Sequence, residues 1–131
     1  MDKNCKLKYI AIILKICLLI IAITSLYLGI SRMYLGGAEV APIIDNSLRF
    51  YAGTLFAIGP LAIWTAMNIK KQITFIYFIA FFVFMGGVGR LVSIISVGLP
   101  SNIFLFYLTI EFLIPTIMII SKIYLDKHLV D

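Results

Sequence analysis

Residues that hold metals or activate nucleophiles are almost missing from this sequence. Its 131 residues include one histidine, two cysteines and six carboxylates. The histidine, His128, stands near the C-terminus, and no histidine falls near Ser93, so a hydrolytic triad is excluded. Cys5 and Cys17 lack C-x-x-C spacing and have no cluster of partner ligands, so neither a metal site nor a structural disulfide is expected. No glycine-rich phosphate loop and no haem motif occurs. No catalytic residue, metal or cofactor follows from the sequence. Charge is scarce as well. Charged residues make up 13% of the chain, where a soluble domain carries about a quarter. The net charge is +5, yet no basic face with interleaved aromatics is present, which argues against nucleic acid as a partner.

Apolar residues fill the space that charge leaves. They are 63% of the chain, and the mean hydropathy is +1.11. A core of this length cannot hide so much apolar surface from water. A helix that spans the roughly 30 Å hydrocarbon layer needs about 20 apolar residues. Four such runs fit, at about 8–34, 46–69, 73–97 and 102–125, as a single integral membrane domain over residues 1–131. The expected fold is all-α, a bundle of four transmembrane helices in antiparallel up-down order. Lys3, Lys6 and Lys8 precede the first run as in a signal peptide. The run is longer than such a segment and has no small-x-small cleavage site, so it reads as a retained helix.

Punctuation is clear between the runs. Gly36-Gly37 ends the first, and Asp45-Asn46 offers an N-cap for the second. Lys70-Lys71-Gln72 forms a tight turn. Gly98 and Pro100 break the third run, and Ser101 or Asn102 caps the fourth. Pro60 and Pro115 each remove one backbone hydrogen bond in mid-helix.

Lysine and arginine divide between the two ends of the helices. Lys3, Lys6, Lys8, Lys70, Lys71, Lys122 and Lys127 fall on one side, and Lys15 lies in the same half of its helix. The positive-inside rule then puts both termini in the cytoplasm. Arg32, Arg49 and Arg90 all fall at the other side, with Glu39, Asp45 and Glu111. At about 1.5 Å per residue, Arg90 lies roughly 12 Å before Gly98, and Glu111 roughly 13 Å after Asn102. The depths match on adjacent antiparallel helices. A lone charge at depth costs at least about 2.5–3.5 kcal/mol, so an Arg90–Glu111 contact is expected. Arg32 and Arg49 are expected to pair with Asp45 and Glu39 or to anchor at the interface. Ser93 shares the Arg90 face of its helix, with Gly86, Gly89 and Ser96. Arg32, Asp45, Asn46, Arg49, Arg90, Ser93 and Glu111 are therefore the expected polar centre, for ligand binding or for structure.

The stretches GGAEVAPIIDNSLRFYAGTLFAIGP, FMGGVGRLVSIISVGLPS and YLTIEFLIP resemble a family of small four-helix bacterial membrane proteins catalogued only as a domain of unknown function. The resemblance covers roughly residues 20–125. It implies a location in the bacterial inner (plasma) membrane and four helices, and it carries no activity. Three functions remain open. The first is a non-enzymatic membrane protein that binds a lipid head group or small amphiphile, or serves as an accessory subunit. Its partners would be membrane lipids, a second copy or another membrane protein. The second is a small proton-coupled transporter using Glu111. Small multidrug carriers also have four helices and a membrane carboxylate, but their sequences do not match, and the lysine bias opposes an antiparallel dimer. The third is a lipid-modifying enzyme with Glu111 or Asp45 as acid-base group. The absence of catalytic spacing places it last.

Overall fold

A computed structural model describes residues 3–37, 40–69 and 73–129. Four helices make up nearly all of them: α1 (Lys3–Leu35), α2 (Pro42–Met67), α3 (Ile73–Val97) and α4 (Asn102–Leu129). No strand occurs among the described residues. The helices have 33, 26, 25 and 28 residues. At about 1.5 Å per residue, each is longer than the hydrocarbon layer of about 30 Å is thick. All four are long and apolar enough to cross a membrane. Within their most apolar stretches, only 17% of α3 and 11% of α4 is buried inside the protein. The outward faces carry Phe78, Phe81, Ile95, Phe106 and Ile120. Exposed apolar surface on that scale is not sustained in water. This is a multi-pass membrane protein.

The helix ends differ from the sequence reading in three places. α1 begins at Lys3, not near residue 8, because lysine favours the helix and nothing before Tyr9 breaks it. α2 begins at Pro42, with Ala41 as N-cap and no side-chain cap. The expectation that Asp45-Asn46 caps α2 is thus corrected. Proline at the first helical position gives up no hydrogen bond, and its φ is already helical, so the helix starts four residues sooner. Ile44 and Asp45 instead donate their N–H groups to Ala41 O at 2.9 and 3.1 Å. α4 continues to Leu129, past the expected end near Leu125. Both α2 and α4 run unbroken through Pro60 and Pro115. The expected turn Lys70-Lys71-Gln72 lies outside the described residues.

The chain forms two compact units, Met1–Cys17 with Ile69–Asp131, and Leu18–Asn68. In the second unit, the later half of α1 meets α2 through small residues. Ala22, Ser25, Ala52, Ala62, Thr65 and Ala66 are buried there. A Cβ added at Gly29 would stand 2.7 Å from Phe56 Cβ, and one at Gly59 would stand 2.5 Å from Leu26 Cγ. Oil gives no hydrophobic drive between helices, so close backbone approach through small residues supplies the attraction. Helical hydroxyls are satisfied locally. Thr65 Oγ1 donates to Leu61 O at 2.7 Å.

In the first unit, α3 and α4 form an antiparallel hairpin around residues 98–101. Gly98 ends α3 with φ 107° and donates its N–H to Ile94 O at 3.0 Å. Such a φ is open to glycine and strained for other residues. Leu14, Ile76, Ile79, Ala80, Ile114 and Met118 are buried in this unit. Nearer the 98–101 turn, Phe112 lies against Gly87, whose added Cβ would be 3.2 Å from the ring, and meets Phe84 edge-on at 5.1 Å. The absence of a side chain at Gly86 and Gly87 lets Glu111 lie close along α3.

Candidate functional site

Depth matching placed Arg90 and Glu111 opposite each other, and the structure joins them. Arg90 Nε donates to Glu111 Oε1 at 2.9 Å and to Oε2 at 2.8 Å. The side chains are 33% and 20% exposed, so both charges are largely withdrawn from the surroundings. The guanidinium carbon lies 5.7 Å from the ring centroids of both Phe104 and Tyr107. Aromatic faces attract a cation at that range. Arg90 of α3 and about two turns of α4 thus build a charged pair with an aromatic collar.

The pair uses only one of the three guanidinium nitrogens. Arg90 Nη1 and Nη2 find no acceptor among the described residues. Arg90 also lines a cleft of about 270 Å³, together with Ser93, Ile94, Gly98, Pro100 and Phe104. Thr109 Oγ1 turns back to Leu105 O at 3.0 Å, but Ser93 makes no such bond and lines the cleft. The cleft is thus lined by one arginine whose Nη groups have no acceptor among the described residues, one serine and apolar side chains.

Asp45 and Arg49 form a second pair, in the other unit. Arg49 Nε donates to Asp45 Oδ2 at 2.8 Å, and Asp45 Oδ1 accepts the Gly37 N–H at 2.8 Å. Arg49 Nη1 also donates to the carbonyls of Met33 and Tyr34. These carbonyls belong to the last turn of α1, which has no further helix to satisfy them. A cation there also suits the negative end of the helix dipole, as Asp45 suits the positive end of α2. The pair is a clasp between two helix ends. Gly36, at φ 60°, makes it feasible, since an added Cβ would lie 2.2 Å from Asp45 Oδ1 and 2.4 Å from Arg49 Nη2. Gly36→Ala is expected to cost about 2 kcal/mol, from the left-handed backbone and the displaced pair together. Thermal unfolding of the detergent-purified protein reads it.

The family described as "Domain of unknown function (DUF4345)" matches residues 11–121, which covers α2, α3, most of α1 and α4, the Asp45–Arg49 and Arg90–Glu111 pairs and the cleft. This chain belongs to the DUF4345 family. No curated protein and no solved structure matches it.

The expected polar centre of this DUF4345 member is thus distributed. Arg90 and Ser93 line one cleft, Glu111 holds Arg90 through Nε, and Asp45 pairs with Arg49. Asn46 is exposed outside both pairs, and Arg32 is exposed at the end of α1 with no ion pair to a described carboxylate. Glu39, an expected partner of the arginines, lies outside the described residues. Sequence reasoning missed a further cluster, near the opposite end of the α3–α4 hairpin. Lys122 is only 3% exposed and bonds Asp126 one turn on, and Asp126 also hydrogen-bonds the Tyr77 hydroxyl of α3. The four-residue spacing of Lys122 and Asp126 was the available signal. His128, expected in a solvated tail, stacks on Tyr124 at 4.2 Å within α4. Among the described residues, no group of three His, Cys, Asp or Glu side chains could hold a metal.

Proposed function

We propose that this chain is a bacterial plasma-membrane protein, with both termini in the cytoplasm, that binds the phosphate-bearing head group of a membrane lipid at the Arg90 cleft and does no chemistry on it. One observation carries the reading. Arg90 lines an open cleft and is anchored through Nε, while Nη1 and Nη2 have no acceptor among the described residues. A guanidinium presents paired N–H donors to two oxygens of one phosphate, which a lysine cannot copy. Phospholipids are the nearest abundant phosphodiesters, and the apolar wall of Ile94, Pro100 and Phe104 suits the start of an acyl chain. The placement of lysines supports this orientation, in which the cleft belongs to the outer half of the bilayer. Glu111 is held by Arg90, which disfavours its use as a free proton carrier.

Native mass spectrometry of the detergent-extracted protein tests the proposal. Retained phospholipid is expected on the wild type and on Arg49→Ala, whose arginine only clasps helix ends. Arg90→Ala and Arg90→Lys are expected to lose it. Lipid retained equally by the Arg90 variants and the wild type would defeat the reading. If delipidated protein holds inorganic phosphate and never lipid, the same donors serve a soluble anion instead.

A further inference from the structure

Every described carboxylate is already engaged. Arg49 holds Asp45, Arg90 holds Glu111, and Lys122 holds Asp126. Lys8 and Lys15 of α1 are exposed and make no ion pair or hydrogen bond to a described residue. Two turns apart, they lie about 20° from each other around the helix. The exposed Ile12 and Ile16 share that face. Leu14 and Cys17 of the same helix are buried, so the strip looks away from the protein. We infer that this strip of α1 is a docking surface for an anionic phospholipid of the phosphatidylglycerol type, whose phosphate takes both ammonium groups. The inference does not rest on the Arg90 cleft, which belongs to α3, α4 and the turn between them.

Depth explains why a lipid phosphate is the counter-ion. The 33 residues of α1 span about 50 Å against a hydrocarbon layer of about 30 Å. Centred on the layer, the helix extends about 10 Å beyond each face. Lys8 then stands near the boundary, and Lys15 about 8 Å inside it. An unpaired cation at that depth is costly. Lysine avoids the cost by stretching its four-carbon stem to the polar layer. Helical side chains lean towards the amino terminus, which for Lys15 is the near boundary. Its ammonium thus rises towards the level of Lys8, where lipid phosphates lie. Two cations with no carboxylate make a net positive strip. A phosphodiester that brings no cation of its own neutralises it, whereas a zwitterionic head group adds a cation that opposes the same charge. Ile12 and Ile16 give the start of the acyl chain an apolar wall.

A lipid on an exposed strip exchanges with detergent, so the test reads it within the bilayer. The protein carries Trp64→Phe, which removes its one native tryptophan, and Ile12→Trp, a change at a half-exposed position on the strip. It is reconstituted in vesicles of equal parts phosphatidylglycerol and phosphatidylcholine, with bromine near the glycerol end of the acyl chains of one lipid or the other. Brominated phosphatidylglycerol is expected to quench the Ile12→Trp fluorescence as if enriched about fivefold over phosphatidylcholine, the factor one lysine near the bilayer surface supplies. Adding Lys8→Gln and Lys15→Gln is expected to bring the two lipids to parity. Adding Arg90→Ala instead is expected to leave the preference intact. Equal quenching by both lipids with the lysines present overturns the inference. So does a preference that survives the loss of both lysines, or one that disappears with Arg90→Ala. Equal quenching leaves the Arg90 head-group reading standing, since that is decided by lipid retained in detergent.

Discussion

Glu111→Ala is expected to destabilise the protein by about 3 kcal/mol, because it strands Arg90 among apolar helices. The wild-type carboxylate satisfies the guanidinium through both oxygens, with the side chains 33% and 20% exposed. Removing it leaves a cation with only the Phe104 and Tyr107 faces as company. Helix-to-helix hydrogen bonds in bilayers average about 0.6 kcal/mol, far less than this, but they involve neutral groups whose loss strands no charge. The distinction has a direct check. Arg90→Leu with Glu111→Leu removes both charges, and its stability is expected to return most of the way to wild type. Denaturant titration in detergent of the wild type, Arg90→Leu, Glu111→Leu and the double variant gives the coupling energy. A double variant as unstable as Glu111→Ala would show that the loss lies in packing around Gly86 and Gly87 instead. The same double variant is expected to retain no lipid. Stability and binding therefore come apart in one protein.

Gly29→Leu is expected to be as damaging, about 3 kcal/mol or complete loss of folded protein. The obstacle is not a flexible side-chain tip. An added Cβ at Gly29 meets Phe56 Cβ at 2.7 Å, Cα at 2.8 Å and N at 2.9 Å, so the α2 backbone itself would have to move. Gly29→Ala already introduces that Cβ and is expected to lose about 2 kcal/mol. Gly89→Ala is the contrast. An added Cβ there meets nothing within 4 Å, and its thermal unfolding is expected to match the wild type or rise slightly through helix propensity. Equal losses at Gly29 and Gly89 would contradict the close approach of α1 and α2 at Phe56.

Much of the fold was readable without coordinates, because the bilayer narrows the choices. Oil offers backbone groups no partner, so an apolar run of spanning length has to become a helix. Ile73–Val97 matched the expected limits at both ends, since the glycine and proline beyond Val97 cannot extend a helix. The start of α2 was misplaced because two signals competed within four residues. Pro42 at the first position won over Asp45 as a cap, and Asp45 was left free to hold Gly37 and Arg49. Arg90 and Glu111 could be paired on paper because both are deep and each is too costly alone. Arg49 could not be read that way. Two of its partners are the carbonyls of Met33 and Tyr34, and backbone atoms leave no trace in residue identity. Lys122 resembled every other lysine on its side, and only the structure shows it buried and paired with Asp126.

The sequence by itself determined the number of spans, their helical nature and the ends at which lysine and arginine collect. These depend on run length and on the energy of charge in oil, and both are sums over single residues. Tertiary structure alone decided which glycine is a tight contact and which faces open space, and which arginine caps a helix and which lines a cleft. Those outcomes depend on the rotation and spacing of one helix against its neighbour. Gly29 and Gly89 are the same residue in similar company, and only the backbone across from each tells them apart.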